Sequence, residues 1–155
     1  MLQQCDRVFN PAESVSSNPL QMQELAQYQY LYLTVLQSYV KVLELPEISQ
    51  LAEPLLLNLI GYLKIVKVST VQEDILLTLG ALSNFAPQQM ITAHLSYLII
   101  NVMPYMANRD EISTCISAIS VFGDICSVVG AQLRPYASEI LSTAFKHFSS
   151  SSLDV

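Results

Sequence analysis

Residues 78–85, TLGALSNF, and residues 118–125, AISVFGDI, share one pattern of apolar and small positions. The two segments lie about 40 residues apart, which is the period of arrays built from helix pairs. Each unit of such an array contacts only its neighbours in sequence. The repetition therefore predicts an all-α chain folded as an α-solenoid.

Helical spacing of apolar residues extends outward from these two segments to most of the chain from Leu20 onward. Two polar clusters precede equivalent helices, Thr70 to Glu73 and Asn108 to Glu111, and both have the spacing of a capping box. A box of this kind would start a helix at Val71. It would also give Glu73 and Glu111 structural roles at helix starts.

The apolar stripes divide the chain into about three units of HEAT-repeat length, each an antiparallel helix pair. Pro54 is expected inside a helix, and Gly130 is expected to end one. The predicted units cover residues 24–66, 71–107 and 111–149 of an array over 20–150. They are preceded by a linker or partial element over 1–19 and followed by a frayed tail over 151–155.

The composition favours protein partners over nucleic acid. Seven Lys and Arg residues stand against 13 Asp and Glu, a formal net charge of −6. Such a field repels phosphate backbones and attracts basic surfaces. The four glycines are isolated, so no phosphate-binding loop is present, and no spacing of Cys or His indicates a metal site. No cofactor and no catalysis are expected.

A membrane protein is the main alternative, because no charged residue occurs between Asp74 and Arg109. That stretch is interrupted by Pro87, His94 and Pro104, so neither half is a clean run of about 20 apolar residues. A hairpin or small polytopic membrane protein remains an alternative reading. Membrane insertion is not the expectation.

The segment AISVFGDIC at 118–126, followed by RPYASEIL at 134–141, resembles HEAT repeats of the importin-β family of nuclear transport receptors. VQEDIL at 71–76, CDRVFN at 5–10 and TVLQ at 34–37 are similar to the same region in the same order. The resemblance implies a portion from the second half of that solenoid. An unrelated HEAT-type scaffold is the remaining alternative.

The resemblance implies a role in nuclear import of protein cargo. Its implied partners are an importin-α-like adaptor or basic cargo segment, the GTPase Ran in its GTP form, and Phe-Gly nucleoporins. Its implied locations are the cytoplasm, the nucleus and the nuclear pore.

Second helices line the concave face of such arrays, so Glu47, Glu53 and Glu139 are candidates to bind a basic segment. Asp124 lies in an apolar turn of its helix, and a carboxylate there needs hydrogen-bond donors. It is therefore expected to have a structural role, either in a hydrogen bond to a neighbouring repeat or as a cap of an adjacent helix.

Overall fold

A computed structural model of the chain describes residues 8, 9 and 18–150, except for the side chains of residues 147–150. No strand occurs in these described residues, which confirms the all-α prediction. The helices are α1 (Pro19–Val42), α2 (Leu45–Ile65), α3 (Ser69–Phe85), α4 (Gln88–Ala93), α5 (Leu95–Ala107), α6 (Ile112–Val129), a short 3-10 helix (Gly130–Leu133) and α7 (Arg134–Ser150).

The helices form three pairs in two layers, as an α-solenoid requires. Helix α3 packs against both α1 and α6, so the first helices of the pairs lie side by side. Helix α5 packs against α7, and the Tyr105 hydroxyl on α5 donates a hydrogen bond to the Leu63 carbonyl on α2. We call α1, α3 and α6 the first-helix layer, and α2, α5 and α7 the second-helix layer.

The repeat length can be read from hydrogen bonds that join one repeat to the next. In the first-helix layer, Gln37 bonds to Thr78 across 41 positions, and Asn84 bonds to Asp124 across 40. In the second-helix layer, Ser96 bonds to Tyr136 across 40 positions. Repeats of TPR type have about 34 residues, whereas HEAT repeats have about 40–47. The spacing is therefore that of HEAT repeats.

The core consists almost entirely of aliphatic side chains between the two layers. Phe9 joins it, since its ring stacks on Tyr62 with centroids 4.4 Å apart and only 3% of the residue is exposed. The predicted linker over 1–19 thus supplies a core residue. Residues 1–7 and 10–17, and the predicted tail over 151–155, lie outside the described residues.

The two predicted capping boxes are wrong. Helix α3 begins at Ser69 with Val68 as its N-cap, which places Thr70 and Glu73 inside the helix without a side-chain cap. The preceding turn is held instead by Gln72, whose amide donates a 2.8 Å hydrogen bond to the Val66 carbonyl. Because this bond ties α3 to the end of α2, the helix starts two residues earlier than predicted.

The second predicted box fails for a similar reason. The Asn108 side chain accepts a hydrogen bond from the Asp110 backbone and shapes the turn after α5. Glu111 occupies the N-cap position of α6, but its side chain makes no capping bond. The capping box that does form is at α2, where the Glu47 carboxylate accepts a 3.2 Å hydrogen bond from the Glu44 backbone.

The helical segment after Pro87 is interrupted at His94, which ends α4 and starts α5 with φ −101° and ψ 8°. This backbone conformation is sparsely populated and interrupts the helical ladder. Pro54 lies inside α2, as predicted. Gly130 ends α6 with a φ of 55°, a conformation that favours glycine, and this prediction is also confirmed.

The apolar stretch over 75–108 does not form a pair of spanning helices, because α3 has 17 residues and α5 has 13. Among the described residues, one continuous helical segment, Ile112–Lys146, is long and apolar enough to cross a membrane. Of its most apolar window, 39% is buried within the molecule. A core helix of a soluble protein passes the same test, so this signal is weak.

Candidate protein-binding surfaces

The three candidate acids all lie on second helices, but the structure does not gather them into one cluster. Glu47 and Glu53 belong to α2 in the first repeat, and Glu139 belongs to α7 in the third. Glu47 is engaged in capping its own helix. Glu139 is exposed, and its backbone carbonyl accepts a hydrogen bond from Ser142. The charge is thus spread along the layer.

Glu53 is held in place by a residue of the next repeat. Its carboxylate lies 2.8 Å from Nε2 of His94, at the break between α4 and α5. The Glu53 side chain is 58% exposed and the His94 side chain is 21% exposed. Because the contact is partly solvated, the carboxylate stays accessible to a basic partner while its position is fixed.

The second helix of each repeat carries an exposed apolar side chain, and the three residues given next are called the apolar row. Leu57 on α2 is 41% exposed, Ile100 on α5 is 69% exposed and Leu141 on α7 is 54% exposed. In the same layer, the Lys64 ammonium lies 5.4 Å from the ring centroid of Tyr97. Sequence reasoning missed this row, since periodicity alone does not distinguish an exposed apolar position from a buried one.

An apolar cavity of about 320 Å³ opens within the third repeat. Its wall includes Gly123, where an added Cβ would meet no atom within 4 Å, and the exposed residue Leu141. The full lining is Met106, Ile119, Phe122, Gly123, Cys126, Leu133, Ala137, Ile140, Leu141 and Ala144. With no charged residue among them, the cavity suits an apolar side chain of a partner.

The first-helix layer carries a polar contact between repeats. Asn84 donates a 2.8 Å hydrogen bond to the Asp124 carboxylate, and Ser127 donates one to the Asp124 backbone carbonyl. The Asp124 side chain is thereby hydrogen-bonded to the neighbouring repeat. Its second carboxylate oxygen lies against Gly80, which has no side chain to displace it.

The described residues contain no group of three or more His, Cys, Asp and Glu side chains that could hold a metal ion. Cys115 is buried, its thiol donates to the Met106 carbonyl, and burial raises its pKa. A thiol with a raised pKa is a poor nucleophile. Cys115 therefore has the properties of a buried structural thiol.

Comparison with known proteins identifies the kind of chain that carries these surfaces. A protein family described as "Importin subunit beta-1-like, TPR repeats" matches residues 1–155. Importin subunit beta-1 of Schizosaccharomyces pombe is 27% identical over 88 residues. That match covers 57% of this chain and 10% of the relative, so the shared region is a small part of the relative's length. No solved structure matches the chain.

Proposed function

We propose, from the premise that this chain belongs to the importin subunit beta-1-like repeat family, that it is a helical scaffold acting in nuclear import of protein cargo. Support comes from a two-layer solenoid over the described residues with exposed acids on its second helices. The proposed partner of this layer is a basic segment, either from an importin-α-like adaptor or from cargo. Catalysis is no part of the proposal.

The single observation that carries the proposal is the acidic, partly solvated Glu53 fixed by His94 on the second-helix layer. An acid held by a neighbouring repeat meets a basic side chain with less loss of side-chain freedom. Glu139 adds a second exposed acid two repeats away. Binding therefore depends on several weak charge contacts along the layer, and it should be steered electrostatically.

The test is titration of a basic adaptor peptide into the full chain at low and high salt. The double reversal E53K/E139K is expected to weaken binding by about tenfold or more. E24K is the matched control, since Glu24 is an exposed acid of the first-helix layer. Glu47 is kept out of the double variant because its loss would also remove the cap of α2. Salt-independent binding, or equal effects of E24K and the double reversal, would contradict the proposal.

The proposal assigns the apolar cavity of the third repeat to a phenylalanine side chain of a Phe-Gly nucleoporin. A cavity of about 320 Å³ with a wholly apolar lining has the size and chemistry for one aromatic ring. The variant G123M places a side chain at its wall, and G61M makes the same change where an added Cβ also meets nothing. Loss of Phe-Gly peptide binding in G123M alone is expected, and equal binding by both variants would contradict it.

Binding of Ran-GTP, and residence in the cytoplasm, the nucleus and at the nuclear pore, belong to the same proposal. They follow from the family and from no particular surface described above. Co-purification of the chain with Ran loaded with a non-hydrolysable GTP analogue, compared with Ran-GDP, is the direct check.

A further inference from the structure

A second cavity lies in the first-helix layer, between α1 and α3, and one charged residue lines it. Its volume is about 290 Å³, and its lining consists of Gln23, Ala26, Gln27, Tyr30, Thr70, Val71 and Asp74. Sites for drug-sized ligands have roughly 300–1,000 Å³. This cavity therefore has room for a single side chain of a partner rather than for a cofactor.

Asp74 supplies the only charge in the lining of this cavity, and its carboxylate lacks a hydrogen-bond donor among the described residues. The backbone carbonyl of Asp74, not its side chain, accepts from Gln37 and Thr78. Burial raises the pKa of Asp74, and the charge of Glu73 raises it further. A half-buried carboxylate without a donor is unfavourable, and a cationic ligand would relieve that cost.

The remaining lining indicates which cation fits. Tyr30 offers an aromatic ring, and Gln23, Gln27 and Thr70 offer side-chain oxygens that can accept hydrogen bonds. A guanidinium group is planar, has five N–H donors and stacks on aromatic rings, whereas an ammonium is a compact, strongly hydrated charge with three donors. An aromatic ring, a carboxylate and several neutral acceptors together match the guanidinium.

We propose that this cavity binds an arginine side chain of a partner protein, with Asp74 pairing with the guanidinium and Tyr30 packing on its face. The site lies in the opposite layer from Glu53 and Glu139, so it is separate from the basic-segment surface proposed above. A partner that reaches both layers would contact the scaffold at two independent points.

The experiment is an NMR titration of the isotope-labelled full chain with N-acetyl-L-arginine amide. Shifts are expected in the backbone amides of residues 23–30 and 70–74, and D74N should weaken the affinity by about tenfold. Y30L should weaken it severalfold. E139Q, which removes one carboxylate charge from the other layer, should leave it unchanged. N-acetyl-L-citrulline amide, an uncharged analogue of similar shape, and N-acetyl-L-lysine amide should bind more weakly than the arginine derivative.

Absence of shifts around the cavity would overturn the proposal, and so would equal binding by D74N or by the citrulline derivative. If D74N perturbs amides throughout the chain, the ligand comparison on the unmodified chain decides the matter. The basic-segment proposal is tested separately, because E53K/E139K should weaken adaptor binding while leaving the affinity for the arginine derivative unchanged. Each proposal can therefore fail without the other.

Discussion

The carboxylate of Asp124 on α6 lies against Gly80 on α3, at a position where glycine has no side chain to keep the two helices apart. Alanine usually stabilises a helix relative to glycine by about 1 kcal/mol. At Gly80 we expect the opposite, because a methyl group would collide with the Asp124 side chain. Because turning the Asp124 carboxylate aside breaks its bond to Asn84, G80A should lose about 1 kcal/mol of unfolding free energy in urea titration.

Gly61 provides the control for this prediction, since it also lies in a helix but an added Cβ there meets nothing within 4 Å. G61A should therefore be neutral or stabilising. Combining G80A with D124S should recover part of the loss in a double-mutant cycle. A stabilising effect of G80A would contradict the prediction and show that the Asp124 side chain turns away from position 80 without a loss of stability.

The bond between Asn84 and Asp124 makes a pH-dependent prediction. N84D would place two carboxylates within hydrogen-bond distance and should cost about 1–3 kcal/mol at neutral pH. The loss should disappear as the pH falls below about 4, because protonating one carboxyl restores a donor. Thermal melts across pH 3–8 measure it. The exchanged pair N84D/D124N should melt close to the original chain at all these pH values.

Tyr105 joins the first and second repeats through its 2.7 Å hydrogen bond to the Leu63 carbonyl. Y105F should lower the unfolding free energy by about 1 kcal/mol, since the carbonyl loses its donor. Burial raises the pKa of Tyr105, so there is a pH range in which the phenol is ionised in the unfolded chain but neutral in the folded chain. Stability should therefore fall above about pH 10. In Y105F this alkaline loss should be smaller.

The ionised carboxylate of Asp74 should lower the stability of the folded chain at neutral pH. Its raised pKa means that folding favours the protonated form, so its contribution to stability is lost as the pH rises through the folded pKa. D74N should accordingly raise the melting temperature at pH 7, and the difference should vanish below about pH 4. A lower melting temperature for D74N at pH 7 would show instead that the carboxylate stabilises the fold.

An exposed apolar stripe on α1 should drive association of the 155-residue chain. Its members follow helical spacing and include Val35, 68% exposed, and Val42, 75% exposed; the others are Tyr28, Leu31 and Tyr39. Large exposed apolar patches are rarely tolerated by monomers. V35K/V42K should reduce association in sedimentation velocity, while T34K, at an exposed position on α1 about a quarter-turn around the helix from the stripe, should not. A monomer at all concentrations would contradict the expectation.

Repetition and periodicity predicted much of this molecule correctly. When residues 78–85 are aligned with residues 118–125, Gly80 and Ser120 occupy equivalent repeat positions, and so do Asn84 and Asp124. The structure shows why this register matters, since α3 and α6 lie side by side. A helix end that depends on one residue's own backbone conformation can also be predicted from the sequence. Gly130, with its positive φ, ends α6 in this way.

The first residues of helices were predicted less accurately, because a capping box is a local sequence pattern and contacts with other elements can override it. Thr70 and Glu73 have the right spacing, yet the side chain of Gln72 ties α3 to Val66 and extends the helix past them. Glu47 was read as a binding residue, although its carboxylate caps α2. Whether a given acid caps a helix or meets solvent depends on backbone geometry that spacing does not specify.

The sequence by itself determined the helical class, the repeat of about 40 residues and the acidic balance, because these follow from composition and from spacing along one chain. Only the tertiary structure decided which apolar positions are buried. On α1 it buries Leu33 and Leu36 but exposes Leu31 and Val35. It also created both cavities, since each is lined by more than one helix and exists only once those helices pack.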